Sequence, residues 1–431
     1  MDSQYAATLD YIYSKLPMFH RVGSSAYKKD LTNITKLCTA LDNPQDSFEA
    51  IHIGGTNGKG STSHMVASLL QTHGFKTGLY VSPHYKDFRE RIKIAGQYID
   101  RKFIVKFIQD IKPLIEEIQP SFFEITVAMA FSYFREKKVD IAVIEVGLGG
   151  RLDSTNILVP KVTAITQISF DHQAMLGNTL ELIAAEKAGI IKPNVPCIIG
   201  ETQEEVAHVF RQKAASVNAP ILFADRLFSS KIIRENIDSL CVSINKGNKP
   251  YLSNLNIPCA GSFQEKNTVT AIHTFETFME NCQMKVDISR VKFGLENFPK
   301  LTNFIGRWQV LQHKPLVIAD SAHNIAGISM VLNQINKYHF PHIKIILGFV
   351  NDKDVTNVLE MLPKNAQYFF VNANIPRALP SSELKSLASY HGLKGKSYTS
   401  AKRGKIAAIR SAKENDLILI LGSIFVVGEC L

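Results

Sequence analysis

The N-terminal part of the chain carries apolar side chains at helical spacing, interrupted by one strand-like run. Residues 4–17 predict an amphipathic helix. Residues 51–53 predict a strand that enters a tight loop of small residues, and residues 63–73 return to helical spacing, so the order is strand, loop, helix. Further predicted elements are a short strand at 78–82 and helices at 101–118 and 122–137.

From residue 139 onwards, short β-branched runs alternate with helical stretches. The predicted strands are 139–146, 162–168, 195–199 and 220–223, and the predicted helices are 178–188 and 203–217. Residues 139–146 are almost continuously apolar, which is typical of a strand buried on both faces of a parallel sheet. The alternation predicts a parallel sheet with helices on both faces, whose ligands bind at the carboxyl ends of the strands.

Two segments break this alternation. Residues 82–99 are charged and aromatic without a clean period, which predicts a surface loop that carries function, with a small hairpin. Residues 225–258 contain short β-like pieces and predict a small antiparallel excursion, and a helix is predicted to start near Gly261.

A chain of 431 residues is too long for one ordinary core, so we predict two domains. The boundary is placed in Leu295–Asn303, where a helix is predicted to end before Pro299 and the alternation starts afresh. The predicted domains are 1–297 and 304–431, joined by a linker at 298–303. Predicted strands of the second domain are 308–312, 315–320, 343–350, 366–373 and 417–422, with a helix from Asn324. The predicted fold class is α/β, with a mainly parallel first sheet and a smaller Rossmann-like second domain.

The composition is that of a soluble globular protein, with 45% hydrophobic and 20% charged residues. The net charge of +10 is spread along the chain, which fits anionic small substrates as well as nucleic acid, and equally well mere solubility. The six cysteines form no C-x-x-C pair, so we expect neither a zinc site nor a disulfide framework, but a reducing compartment. The N-terminus does not resemble a signal peptide, and the apolar run 417–428 is too short to span a bilayer, so we expect a cytoplasmic protein with no membrane partner.

The stretch Ile51–Thr62 (IHIGGTNGKGST) carries the clearest chemistry. Its glycines let backbone N–H groups turn inward, and the helix N-terminus adds partial positive charge, so the loop can hold phosphate. Lys59 would reach the β- and γ-phosphates, and Ser61 or Thr62 can place a hydroxyl on Mg²⁺. The strict phosphate-loop pattern fails, because its first glycine is missing and Gly60 follows the lysine. A plain turn from strand to helix is the alternative.

With these stretches assembled, the chain resembles the folylpolyglutamate synthase/dihydrofolate synthase family, the folate branch of the Mur ligase superfamily. The matching segments, in chain order, are HIGGTNGKGST, YVSPHYKDFRERI, EVGLGGRLDSTN, ISFDHQAMLG, EKAGIIKP, GSFQEKN, IGRWQV, DSAHNIAG, LGFVNDKD and GSIFVVGE. They cover both predicted domains, and the variant phosphate loop is this superfamily's own version. The resemblance implies a Mur-ligase-like fold whose first domain is a phosphate-loop ATPase. It also implies an ATP-dependent ligase that adds L-glutamate to dihydropteroate or to folyl-(poly)glutamates through an acyl phosphate.

The resemblance implies that both domains hold ATP. The implied ATP-binding residues are Thr56, Asn57, Gly58, Lys59, Gly60, Ser61, Asn267, Arg307 and Asp320, and the implied catalytic residues are Lys59, Lys187 and His323. Asn267 is implied at the adenine, although it could equally start or cap its helix. Arg307 is implied at the phosphates, and Asp320 and His323 at the ribose and the incoming glutamate. Closure about Leu295–Asn303 would then assemble the site and exclude water.

The implied metal ligands are Ser82, Glu145, His172 and Lys187. Oxygen chemistry alone favours Glu145, because it caps a buried strand where an unpaired carboxylate would be costly. Ser82 has an alternative role as a cap at the end of its strand. Since Mg²⁺ prefers oxygen ligands, the residues alone indicate that His172 forms a hydrogen-bonded pair with Asp171, whereas the resemblance implies that it binds metal.

Lys187 is implied to be carbamylated, which requires a neutral amine and hence a desolvated lysine with a lowered pKa. The alternative from the sequence alone is a surface salt bridge with Glu186. The expected cofactors are ATP as a substrate and two Mg²⁺ ions, and K⁺ is a further candidate.

The implied substrate contacts are Arg91, Phe123 and Ser423. Arg91 would meet the carboxylate of the pterin-bearing substrate, and Phe122 or Phe123 would stack on the pterin ring, with core packing as the alternative. Ser423 would hold the carboxylate of glutamate or, alternatively, cap a helix. The loop at 19–27 is expected to close over the same pocket. The expected partners are small molecules, with no nucleic acid, and the expected oligomeric state is a monomer.

One motif departs from the family pattern. Where the family usually reads D-G-A-H-N-P, this chain has Ser321 and Ile325 in the second and sixth places of residues 320–325, which leaves the local loop geometry open. Three alternative functions also stay open: a single-activity folylpolyglutamate synthase that cannot add the first glutamate, a cell-wall Mur ligase, and a nucleotide-binding regulator without turnover.

Overall fold

The computed structural model describes residues 2–16, 30–351 and 355–431, which form two α/β lobes and a small antiparallel sheet. The helices are α1 Asp2–Lys15, α2 Thr32–Ala40, α3 Lys59–Thr72, α4 Arg101–Asp110, α5 Lys112–Ile118, α6 Phe122–Glu136, α7 Gln173–Leu176, α8 Leu180–Ala188, α9 Glu204–Ser216, α10 Ala224–Leu227, α11 Phe263–Asn281, α12 Ile288–Thr302, α13 Ile325–Ile335, α14 Thr356–Met361, α15 Ser381–Tyr390, α16 Ala401–Ser411 and α17 Ile424–Cys430. The strands are β1 Glu49–Gly54, β2 Thr77–Tyr80, β3 Ile92–Ile94, β4 Gln97–Tyr98, β5 Ile141–Glu145, β6 Val162–Ile165, β7 Cys197–Ile199, β8 Ile221–Phe223, β9 Phe228–Glu235, β10 Leu240–Lys246, β11 Lys249–Ile257, β12 Gln309–His313, β13 Leu316–Ala319, β14 Ile343–Gly348, β15 Gln367–Val371, β16 Lys394–Tyr398 and β17 Leu417–Gly422.

The sheet of the first lobe has the order β4-β3-β2-β5-β1-β6-β7-β8. Its strands are parallel from β2 to β8, and the hairpin β3–β4 adds an antiparallel edge. Every residue of β5 is buried, as its apolar run predicts. β1 lies at the centre, with β2 and β5 on one side and β6 to β8 on the other, so the loop after β1 opens at the topological switch point where such sheets bind ligands.

Helices cover both faces of this sheet. On one face, Ile51 and Ile53 of β1 pack with residues of α3, α11 and α12, and the antiparallel sheet β9–β11 extends the same core. On the other face, Ile144 of β5 packs with Phe131 of α6 and with residues of α1, α2 and α4. The antiparallel sheet confirms the predicted excursion at residues 225–258.

The sheet of the second lobe has the order β12-β13-β17-β14-β15-β16, in which only β12 is antiparallel. The carboxyl ends of β13 and β17 therefore point to the same edge, where they lead into Asp320 and Ser423. The edge strand β16 is absent from the predicted strands, because its sequence KGKSY is polar and lacks a buried face.

Three predictions about elements are wrong. The helix α12 does not end before Pro299 but runs to Thr302, because a proline in the last turn removes a single hydrogen bond and Asn303 then ends the helix in the left-handed region. The predicted helix 101–118 is two helices that meet at Ile111, where Pro113 fits the first turn of the second.

The third error concerns residues 82–99. The predicted hairpin is present as β3–β4, but the segment is not a surface loop, because Phe88, Glu90 and Arg91 are buried. The predicted linker at 298–303 stays a prediction, and most of it belongs to α12. In the described part of the chain no helix has the length and apolar character needed to cross a membrane.

Candidate functional site

The carboxyl ends of strands from both lobes open into one cleft with a cavity volume of about 180 Å³. It collects all of the predicted ATP, metal and catalytic residues: Thr56, Asn57, Gly58, Lys59, Gly60, Ser61, Ser82, Glu145, His172, Lys187, Asn267, Arg307, Asp320 and His323. Nδ2 of Asn324 donates to Oδ1 of Asn57 across the cleft over 3.3 Å, so residues 267 positions apart in the chain meet at one site.

The backbone of the phosphate loop packs closely against side chains of two other segments. Gly55 and Gly58 have φ angles of 134° and 88°. A Cβ at Gly55 would lie 1.9 Å from Oγ1 of Thr166, and a Cβ at Gly58 would lie 2.3 Å from Oδ1 of Asn267. Both positions therefore require glycine, which explains the small residues of this stretch.

Two lysines share one backbone acceptor in this loop. Nζ of Lys59 donates to the carbonyl oxygens of Gly55 and Thr56, each over 3.0 Å, and Nζ of Lys187 donates to Gly55 over 2.9 Å. Burial lowers the pKa of Lys59, and the carboxylate of Glu145 opposes that shift. Burial, together with the charge of Lys59, lowers the pKa of Lys187 to about 7.

The alternative role of Lys187 as a surface ion pair is wrong. Lys187 is buried in the last turn of α8, and Glu186 instead pairs with Arg151 over 2.8 Å. Adjacent residues of a helix point in different directions, so Glu186 points to Arg151 while Lys187 faces the phosphate loop.

Glu145 is a buried carboxylate of the cleft, on the side of the first lobe. Its Oε2 accepts a hydrogen bond from the backbone N–H of Ser82 over 3.0 Å, and a Cβ at Gly60 would lie 3.6 Å from its Oε1. Burial raises the pKa of Glu145, and Lys59 opposes that shift. Ser82 directly follows Val81, whose N–H donates to the carbonyl oxygen of Arg91 over 3.0 Å, so its role at the end of the strand stays a prediction.

Glu145 and the phosphate loop beside it fit a Mg²⁺ site in which the protein supplies only some of the ligands. Within the described ranges no three His, Cys, Asp or Glu side chains converge as a metal centre. Magnesium in phosphoryl-transfer sites is commonly held by one or two carboxylates together with substrate phosphates and water, and a buried carboxylate beside a phosphate loop meets that requirement.

Asp171 links the two lobes. Its Oδ1 accepts the backbone N–H of His172 over 2.9 Å and lies 3.9 Å from Nε2 of the imidazole, so the hydrogen bond expected between the two side chains stays a prediction. Its Oδ2 lies 3.3 Å from Nε2 of His323 and accepts a hydrogen bond from Nδ2 of Asn324 over 3.1 Å. His172 itself has a left-handed φ of 51° and lines the cleft beside this contact.

The loop after β13 forms without the family's glycine and proline. Asp320 accepts the backbone N–H of Trp308 over 2.7 Å and that of Ala322 over 2.8 Å. Asn324 caps α13 by accepting the N–H of Gly327, and Ile325 takes the first helical position, where proline is allowed but not needed. Burial raises the pKa of Asp320, although Arg307 opposes the shift.

Asn267 lies in the second turn of α11, so its alternative role as a helix start or cap is wrong. Its Nδ2 donates to Oε1 of Gln264 over 2.9 Å, and its Oδ1 faces Gly58. The side chain therefore lies directly against the phosphate loop.

The three predicted substrate residues lie outside this cleft. Arg91 is 1% exposed, its Nε donates to Nδ1 of His84 over 2.7 Å, and its guanidinium lies 5.2 Å from the ring centroid of Phe122. Nη2 of Arg91 has no hydrogen-bond partner within the described residues. Phe122 belongs to the core, as its alternative states, whereas Phe123 is half-buried against Gly147.

Ser423 caps α17, since its Oγ accepts the N–H of Phe425 over 3.2 Å. The helix-cap role is thus confirmed, whereas the contact of Ser423 with glutamate stays a prediction. The loop expected at 19–27 lies outside the described residues.

Sequence reasoning assigned no contact between the lobes to Tyr85, Asp171, Ser321 or Asn324, yet each of them makes one. All four lie within the matching segments, but the sequence alone does not show which residues meet, because a contact between the lobes depends on how the two sheets are oriented. A polar residue directly beside a predicted site residue is the one signal that marks Asp171 and Asn324.

Known proteins match the chain over nearly its whole length. A family model described as the Mur ligase middle domain matches residues 53–275, and one described as Mur ligase, glutamate ligase domain, matches residues 306–424. Folylpolyglutamate synthase from Lacticaseibacillus casei is 31% identical over an alignment that covers 98% of this chain and 97% of that protein. The chain belongs to the folylpolyglutamate synthase/dihydrofolate synthase family of Mur ligases.

Solved structures of this family share the fold. Folylpolyglutamate synthase from Mycobacterium tuberculosis, complexed with ADP and AMPPCP, has a TM-score of 0.87 at 29% identity over 99% of this chain and 98% of its own. Bifunctional folylpolyglutamate synthase/dihydrofolate synthase from Yersinia pestis, complexed with AMPPNP and a Mn ion, has a TM-score of 0.84 at 25% identity over 99% and 97%. The predicted family and the Mur-ligase-like α/β fold are confirmed, and this folylpolyglutamate synthase/dihydrofolate synthase family member is a ligase.

Proposed function

We propose that this chain adds L-glutamate to dihydropteroate and to folyl-(poly)glutamates, with ATP as phosphate donor and an acyl phosphate as intermediate. Relatives named for one or both activities support this substrate class. The observation that carries the proposal is that the cationic phosphate loop of one lobe shares a cleft with Arg307 and His323 of the other.

In the first step a carboxylate oxygen of the acid substrate attacks the γ-phosphorus, the bond to ADP breaks, and an acyl phosphate forms. Both reactants are anionic, so Lys59 and Arg307 act by opposing the negative charge on the transferring group. When bound, Mg²⁺ would add positive charge at the same oxygens, with Ser82, Glu145, His172 and a carbamylated Lys187 as its proposed ligands. The nucleotide and Mn ion of the Yersinia pestis protein support a nucleotide with a divalent cation.

In the second step the amine of glutamate attacks the acyl carbon, the bond to phosphate breaks, and the departing phosphate takes the proton that the nitrogen loses. We assign His323 and Ser423 to the incoming glutamate, Asn267 to the adenine and Asp320 to the ribose. The buried, unpartnered Nη2 of Arg91 supports its proposed contact with a substrate carboxylate, because a buried cationic donor without a partner is costly.

The deciding experiment uses purified protein with ATP, Mg²⁺ and L-glutamate. Phosphate should be released when dihydropteroate is added. Release with a reduced folate but not with dihydropteroate would instead identify a single-activity folylpolyglutamate synthase. Release with neither acid, while nucleotide still binds, would overturn the proposed function and favour a regulator without turnover.

A further inference from the structure

Tyr85 lies between the two lobes and has no part in the function proposed above. It belongs to the loop after β2, yet its ring lies against the second lobe. A Cβ at Gly306 would lie 2.0 Å from Cζ of Tyr85, and a Cβ at Gly428 of α17 would lie 2.3 Å from its backbone oxygen. The second lobe therefore needs glycine at two positions to receive this residue.

The hydroxyl of Tyr85 joins a buried network around Arg307. It donates to the carbonyl oxygen of Gly306 over 2.9 Å and lies 2.9 Å from Oγ of Ser321. Nη1 of Arg307 donates to both hydroxyl oxygens and, over 3.3 Å, to the carbonyl of Gly306. Burial raises the pKa of Tyr85, so its phenol keeps the proton that it donates.

This network uses one of the three guanidinium nitrogens of Arg307. Among the described residues, the side-chain hydrogen bonds of Arg307 all use Nη1, which leaves Nη2 and Nε for a ligand in the cleft that Arg307 lines. A guanidinium is a rigid planar fork, so fixing one of its nitrogens fixes the direction of the other two.

Ser321 supplies an acceptor that the usual family residue lacks. The family pattern has glycine here, but the backbone of Ser321 is not in the left-handed region, so serine fits without strain. Nη1 carries two hydrogens, and the hydroxyls of Ser321 and Tyr85 give it two side-chain acceptors. The departure from the pattern thus adds a contact.

The first lobe sets the position of Tyr85. The carboxylate of Glu90 accepts the backbone N–H groups of Tyr85 over 2.6 Å, Lys86 over 2.9 Å and Asp87 over 2.8 Å. Because Glu90 fixes this loop in the first lobe, the position of Arg307 in the second lobe depends on how the two lobes are docked.

We propose that Tyr85 and Ser321 are positioning residues, whose hydroxyls hold Nη1 of Arg307 so that the rest of the guanidinium meets the nucleotide triphosphate when the lobes are docked. The inference rests on the proposed function in one respect, that the ligand of Arg307 is a nucleotide phosphate. It adds a requirement for contact between the lobes at the step where the triphosphate binds.

The test measures nucleotide affinity in Tyr85→Phe and Ser321→Gly, each of which removes a hydroxyl. Binding is followed by the fluorescence of Trp308, the single tryptophan, which is buried next to Arg307. With Mg²⁺ present, each variant should bind AMPPCP about tenfold more weakly, because a hydrogen bond to a charged group is lost, and should bind AMP within about twofold of the unmodified protein.

Two comparisons separate positioning from general damage. In an Arg307→Ala background, Tyr85→Phe should change AMPPCP affinity by less than about twofold, since the hydroxyl acts through that guanidinium. Tyr368→Phe is the matched control, because it removes a buried hydroxyl that donates to Pro363 over 2.7 Å within the second lobe. It should leave AMPPCP affinity unchanged.

Unchanged AMPPCP affinity in both hydroxyl variants, an equal loss for AMP, or a loss that persists without Arg307 would overturn the proposal. Either single variant suffices for the test if the other does not fold, as thermal unfolding would reveal. The titration contains no pteroate, folate or glutamate, so it stays informative if the ligase assay fails. An unmodified protein that binds no nucleotide would contradict the proposed function instead.

Discussion

Two loops face each other across the cleft, and they are shaped by opposite means. The phosphate loop after β1 depends on backbone conformation, since Gly55 and Gly58 have positive φ angles and pack where a Cβ would collide. Residues 320–324 contain no glycine and no positive φ, and the side chains of Asp320 and Asn324 hold the backbone by accepting its N–H groups.

This difference explains which substitutions each loop accepts. A loop built from backbone conformation has no room for a side chain, whereas a loop built by side-chain acceptors keeps its shape if those acceptors remain. The chain retains Asp320 and Asn324 while Ser321 and Ile325 differ from the family pattern, and the loop still forms. Substitutions in the phosphate loop should therefore reduce activity more than substitutions in residues 320–324.

The largest effect should come from Lys59→Ala. Its ammonium is the cationic side chain of the phosphate loop, so we expect turnover to fall by about a thousandfold or more, with the fold intact. Phosphate release and thermal unfolding measure the two properties. Lys405→Ala is the control, because that lysine also donates to a backbone carbonyl, that of Cys430, but lies outside the cleft. Normal activity of Lys59→Ala would remove the role assigned to the phosphate loop.

Asp320→Asn tests the loop built by side chains. An amide can accept only one of the two backbone N–H groups that Asp320 now accepts, and Arg307 loses a neighbouring charge. We expect kcat/KM for ATP to fall by about thirtyfold, which corresponds to about 2 kcal/mol. Asp416→Asn is the control, since Asp416 is a buried carboxylate that accepts the N–H of Lys413 over 2.9 Å just before β17 begins. Equal losses of kcat/KM in both variants would show that the effect is general destabilisation.

Lys187 should make the site depend on pH and dissolved CO₂. A lysine with its pKa lowered to about 7 is mostly protonated at pH 6 and mostly neutral at pH 8, and only the neutral amine adds CO₂ to form a carbamate and release a proton. At constant dissolved CO₂ the neutral fraction rises about tenfold over this range. We expect a carbamate signal in ¹³C NMR with labelled CO₂ that grows with pH and is absent in Lys187→Arg. A protein with no such signal at pH 8 would lack the modification.

Local patterns predicted the parts of the site that a single segment determines. The buried strand before Glu145 and the glycines around Lys59 are visible in the sequence, because burial and backbone conformation leave residue patterns. The contact of Asp171 with His323 has no such pattern, since it depends on the relative orientation of two sheets. The sequence did not predict the polar edge strand β16 for a related reason: its pairing with β15, rather than its own periodicity, makes it a strand.

The smallest effect should come from Ile325→Pro, which restores the residue of the family pattern. Ile325 is the first residue of α13, where no intrahelical acceptor is available for the N–H, and Asn324 is already extended at φ −117° and ψ 165°, as a residue before proline must be. We expect a gain of about 0.5 kcal/mol in the free energy of unfolding, with unchanged kcat, from a urea titration.

Gly58→Ala is the counterpart of this substitution in the phosphate loop. Its Cβ would meet Oδ1 of Asn267, and its φ of 88° is strained for alanine, so activity and stability should both fall. If Ile325→Pro were as damaging as Gly58→Ala, the second loop would also depend on its backbone conformation. The distinction drawn between the two loops would then fail, because side-chain acceptors alone would no longer account for the shape of residues 320–324.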